Sequence, residues 1–74
     1  MGEPSYLAHQ LLYRHQSYRK CAYASEFLIE VFGVAAVDAA YAELEVAGKV
    51  KRCDRTVTIR GSAHQPFKLN IDRQ

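Results

Sequence analysis

The feature that most constrains this chain is a change of period at Gly48. Before it, apolar residues recur three and four apart, as in Val37, Ala40, Tyr41 and Leu44; after it they alternate, as in Val57 and Ile59 against Thr56, Thr58 and Arg60. The first spacing places side chains on one face of a helix and the second on one face of a strand. A helical body followed by paired strands is therefore expected, an α+β arrangement. With 74 residues the two parts must share one core, because two cores would each be too small to offset chain entropy, so residues 1–74 are read as a single domain.

The helices can be delimited from their ends. Pro4 suits a first turn, where its missing N–H costs nothing, and Leu7 and Leu11 follow four apart, predicting helix one over about 4–17. Arg19–Ala24 has weaker periodicity and reads as a connection with room for a very short extended segment. Ser25 can cap a second helix over about 25–32, with Glu26 in its first turn and Leu28, Ile29 and Phe32 as its buried stripe. Gly33 can adopt the positive φ that stops it. A third helix is predicted over about 35–47, closed by Gly48 and lacking a polar N-cap. Strands follow over about 54–60 and 67–72, the second carried by Phe67, Leu69 and Ile71, with residues 61–66 as the hairpin loop.

A 49% share of hydrophobic residues with only two prolines indicates a folded chain. The apolar runs around Phe27–Val37 are broken by Glu30 and stop at Asp38, well short of the roughly 20 residues a membrane helix needs. No membrane association is expected. Glu3 and the absence of an apolar run behind it argue against a secretory leader. Two cysteines, Cys21 and Cys53, suit a reduced, cytoplasmic protein; a bond between them is the less favoured alternative.

The net charge of +2 hides a polar distribution. Residues 25–48 contain five carboxylates and no lysine or arginine. Residues 49–74 contain Lys49, Lys51, Arg52, Arg55, Arg60, Lys68 and Arg73 against Asp54 and Asp72. Such asymmetry bears on partners more than the total does.

The order of helix, helix, glycine turn, helix and hairpin resembles the winged helix-turn-helix family. The match is carried by Phe32-Gly33-Val34 leading into the third helix, and by Leu44-Glu45-Val46-Ala47-Gly48-Lys49-Val50, which is similar to the family's Leu-x-x-x-Gly-x-Val/Ile ending of that helix. It covers roughly residues 5–72. The resemblance implies a three-helix domain with a C-terminal β-hairpin, in which helix three is the recognition helix and the 60–67 loop is the tip of the wing. It also implies duplex DNA as partner, read through the major groove by helix three and held by the wing.

The residues alter that expectation. Helix three would offer Ala36, Asp38, Ala39, Ala42 and Glu43, with no cation to meet phosphate, so major-groove reading is poorly served. The candidate nucleic-acid contacts are Lys49, Lys51, Arg52, Arg55, Arg60 and Lys68, with Arg14, Arg19 and Lys20 as additional cations. A DNA-binding regulator attached mainly by its wing is the leading reading. The alternative is a protein-interaction module, an adaptor or inhibitor of a larger nucleoprotein complex. Its surface would be Asp38, Ala39, Ala42 and Glu43 on helix three or Tyr6, Tyr13 and Tyr18 around helix one, since tyrosine rings bury well at interfaces. Homodimerisation stays open.

Enzymatic and cofactor chemistry find no support. His9, His15, His64, Cys21 and Cys53 lack the paired spacing of a zinc site. No phosphate-cradling glycine loop, nucleophile elbow or catalytic carboxylate pair is visible. No catalytic residue, metal or cofactor is expected.

Overall fold

The computed structural model describes residues 5–70. Three helices come first, α1 (Tyr6–Ser17), α2 (Glu26–Phe32) and α3 (Val34–Val46). Four short strands follow, β1 (Val50–Arg52), β2 (Val57–Ile59), β3 (Ser62–His64) and β4 (Phe67–Leu69).

The start expected at Pro4 lies outside the described residues, and α1 is capped by Ser5. The Ser5 side chain accepts from the Ala8 N–H at 3.1 Å, filling a donor that the first turn leaves open. Ser25 caps α2 in the same way through the Leu28 N–H at 3.3 Å. Gly33 alone separates α2 from α3. Its φ of +91° is a conformation other residues resist, and it serves both as the end of one helix and the start of the next. This explains how α3 begins without a side-chain cap.

The core draws Leu7, Ala8, Leu11 and His15 from α1, Leu28 and Ile29 from α2, and Val37, Ala40, Tyr41 and Leu44 from α3. Val50 and Phe67 close it from the strands. Tyr41 is the hub: its ring stacks on Phe67 with centroids 4.2 Å apart, and His15 and Tyr23 flank it at 5.6 Å and 5.4 Å. Burying side chains of this size contributes roughly 1.5–3 kcal/mol each. Phe32 departs from the expected stripe. It stays exposed and leans on Tyr6 with ring centroids 6.3 Å apart.

The strands form one antiparallel hairpin with a break in its middle. Val50, Lys51 and Arg52 face Leu69, Lys68 and Phe67 at the base; Val57, Thr58 and Ile59 face His64, Ala63 and Ser62 at the tip. The turn is the two-residue Arg60-Gly61, with φ of +53° and +85°, the pair of positive angles that a tight type I′ hairpin requires. The expected loop over 61–66 is therefore corrected, because residues 62–64 are paired strand. Four residues, 53–56, oppose Gln65 and Pro66 at the break, where the Cys53 N–H donates to the Pro66 carbonyl at 2.8 Å. Proline has no N–H to return that bond, so it fits an interruption rather than a ladder.

The α1–α2 connection supplies a further rung. Ala22 and Phe67 exchange backbone hydrogen bonds of 2.9 Å and 2.8 Å, so the extended segment anticipated there lies beside β4. One residue before it, Cys21 is bonded to Cys53, with Cα atoms 6.2 Å apart. The expectation of two reduced cysteines is corrected: the fold brings them together by pairing residue 22 with β4 and residue 53 with Pro66. Three helices packed on an antiparallel hairpin, with a short extended segment between the first two, match the winged helix-turn-helix topology.

Candidate nucleic-acid interface

Alternation along β1 and β4 buries Val50 and Phe67 and turns Lys51 and Lys68 outward, directly opposite one another. Two like charges face to face on neighbouring strands repel, which is tolerable only in solvent or beside an anion. Lys68 also lines a cleft of about 430 Å³ shared with Tyr18, Arg19, Lys20, Cys21 and Arg55. The Ala22–Phe67 bridge and the Cys21–Cys53 bond hold the Arg19-Lys20 segment against the hairpin at this point. The cations after α1 and those of the hairpin thus share one surface, a convergence that no local spacing in the sequence announces. None of Arg19, Lys20, Lys51, Arg55 or Lys68 forms an ion pair among the described residues.

The remaining hairpin cations are placed differently. The Arg52 guanidinium is 2.7 Å from the Glu45 carboxylate and lies over the Phe67 ring, 4.9 Å from its centroid. The hydrogen bond to Glu45 raises its pKa further. Arg60, at the tip, pairs with Glu26 of α2 at 3.1 Å. Lys49 is exposed ahead of β1, with its carbonyl accepting from the Asn70 N–H at 3.0 Å. Arg14 is half-buried beside the α1–α2 groove, donating from Nε to the Tyr23 carbonyl at 3.1 Å.

The outward face of α3 exposes Asp38, Ala39, Ala42 and Glu43, but its carboxylates are occupied within the fold. Glu43 accepts from the Ser5 N–H at 2.9 Å and from its hydroxyl, tying α3 to the start of α1. Asp38 accepts from the Tyr23 hydroxyl and lies 3.4 Å from Nδ1 of His64. Burial, then the Asp38 contact, pushes the Tyr23 hydroxyl well above the usual range, so it stays a donor. Asp38 and His64 sit with Arg52, Thr56, Gln65 and Phe67 around a cleft of about 440 Å³ between α3 and the hairpin. No local spacing in the sequence connects Tyr23, Asp38 and His64, which lie in the α1–α2 connection, α3 and β3.

Tyr6, Tyr13 and Tyr18 are all exposed and line a groove of about 540 Å³ between α1 and α2. Phe27, Val31 and Phe32 form its other wall. Phe27 and Val31, one turn apart, are the local signal for a second apolar face of α2 beside the stripe expected from Leu28, Ile29 and Phe32. Among the described residues no three His, Cys, Asp or Glu side chains are grouped to hold a metal, and no helix is long and apolar enough to cross a membrane. No protein-family model, curated protein or solved structure matches the chain.

Proposed function

We propose that this winged-helix domain binds nucleic-acid backbone, with duplex DNA as its partner, through the outer face of the hairpin base and the adjoining α1–α2 connection. The carrying observation is the convergence of Arg19, Lys20, Arg55 and Lys68 on one cleft, with Lys51 facing Lys68, all without carboxylate partners. Neutralising phosphates releases condensed counterions, and unpaired surface cations are what that requires. The wing tip contributes less than its sequence suggests, since Arg60 is paired with Glu26. A face with no base-reading donors on α3 fits binding that follows the backbone and tolerates many sequences. The acidic docking surface on α3 is the weaker reading, because Asp38 and Glu43 are engaged inside the fold. The Cys21–Cys53 bond persists in oxidising surroundings, which counts against the cytoplasmic location first expected.

The test is affinity for mixed-sequence duplex DNA as a function of salt. Five phosphate contacts give a log–log slope of roughly −4 to −5. Binding that is absent at low salt, or insensitive to salt, overturns the proposal.

A further inference from the structure

α1 carries two stripes at helical spacing. Leu7, Ala8, Leu11 and His15 face the core, whereas Tyr6, Gln10, Tyr13, Arg14 and Ser17, with Tyr18 just past the helix end, line the groove shared with α2. Across the groove Phe27, Val31 and Phe32 repeat the pattern on α2 while Leu28 and Ile29 of the same helix are buried. Tyr6, Tyr13 and Phe27 are 67%, 68% and 71% exposed. Only one other large hydrophobic side chain among the described residues, Val46, stands outside this cluster at comparable exposure. With side chains of roughly 200 Å² each, the six apolar groove residues present on the order of 600 Å² to solvent.

We propose that this groove is the interface of a two-fold homodimer in which α1 of each copy lies over α2 of the other. The area argues for it: about 600 Å² of apolar side chain per copy approaches the roughly 800 Å² that each partner contributes to a stable interface. The charges argue for the same pairing of helices. Arg14 of α1 lines the groove and α1 has no carboxylate; α2 has no cation and carries Glu30 next to the groove residue Val31, whereas its Glu26 is engaged with Arg60. A two-fold axis along the groove sets each α1 above the partner's α2 and so opposes unlike charges, whereas α1 on α1 would oppose like ones. Patches that meet themselves across a two-fold must be complementary to themselves, and setting Arg14 against Glu30 meets that requirement in charge. A domain of this size also gains proportionally more from such burial than a larger one.

Sedimentation equilibrium of the full chain, from about 1 μM to about 500 μM, tests the proposal without reference to DNA. A monomer–dimer equilibrium is expected, with Tyr13→Glu and Phe27→Glu each weakening it at least ~30-fold and Glu30→Arg weakening it several-fold, while thermal unfolding of the isolated variants shows that they remain folded. A wild-type chain that stays monomeric throughout, or a dimer indifferent to both Tyr13→Glu and Phe27→Glu, overturns it. A wild-type chain that associates only on adding another protein also overturns it, since the occupant is then not a second copy. Loss of DNA affinity in Lys68→Ala with the dimer intact separates this interface from the basic face.

Discussion

His15 of α1 and Tyr41 of α3 meet at the centre of the core, Nε2 and the phenolic oxygen 2.8 Å apart, with both side chains fully buried. The imidazole is thereby a structural group of the helical body. Its other ring nitrogen, Nδ1, has no protein partner, so a second charge-bearing proton there would be uncompensated.

That environment makes stability depend on acid. Burial, with the Arg14 guanidinium adding to it, lowers the His15 pKa from 6.5 to about 4. Between those values the unfolded chain takes up a proton that the folded chain refuses. Stability is therefore complete above the unfolded pKa and falls as pH drops through the window, by roughly 2–3 kcal/mol at its foot. Urea unfolding at about pH 7.5 and about pH 4.5 measures the loss, and His15→Leu is expected to shrink the difference between the two. An equal difference in the variant would show that other groups carry the acid sensitivity.

The Cys21–Cys53 bond closes a separation of 32 residues and ties the α1–α2 connection to the break in the hairpin. Loop-closure entropy places its contribution at about 3–4 kcal/mol. Reduction, or the double change Cys21→Ser with Cys53→Ser, should lower the melting temperature by more than ten degrees or so, at ~4–8 °C per kcal/mol for a domain of this size. A melting curve unaffected by reductant would contradict this.

Ser5 and Glu43 join the start of α1 to α3 by two hydrogen bonds, and the Ser5 side chain accepts from Ala8. Ser5→Ala removes the cap and should cost ~1 kcal/mol; Glu43→Ala should cost less, about 0.5 kcal/mol, because water meets the exposed Ser5 N–H that it leaves. Because the Ser5 hydroxyl donates directly to the Glu43 carboxylate, the double variant is expected to cost less than the two single losses together. Strict additivity in a denaturation cycle would mean that the contact is not energetically coupled.

Arg60 is the one described residue other than glycine with positive φ. Replacing it by glycine, which adopts that turn freely, should raise stability by about 0.5–1 kcal/mol despite loss of the exposed Glu26 pair, since such pairs contribute little. On the proposed function the same change lowers DNA affinity less than Arg55→Ala or Lys68→Ala does. Chemical denaturation and the salt-titrated binding assay read the two effects separately, and a larger affinity loss for Arg60→Gly would return the weight of binding to the wing tip.

The sequence by itself determined three helices, in order, ahead of paired strands. Spacings of three and four at Val37, Ala40, Tyr41 and Leu44, the cap at Ser25, the stop at Gly33 and the alternation of Val57 and Ile59 are local, and each is written in a few consecutive residues. They suffice for three helices before a hairpin and for Tyr41 in the core. Only the tertiary structure decided what those elements bring together. The approach of Arg19 and Lys20 to Arg55 and Lys68, the joining of Cys21 to Cys53, the occupation of Asp38 and Glu43, and the exposure of Phe32 all depend on where one element lies relative to another. Periodicity states which face of a helix or strand is apolar. The choice of neighbour for that face is made by packing around Tyr41 and by the break beside Pro66, through contacts between residues far apart in the chain.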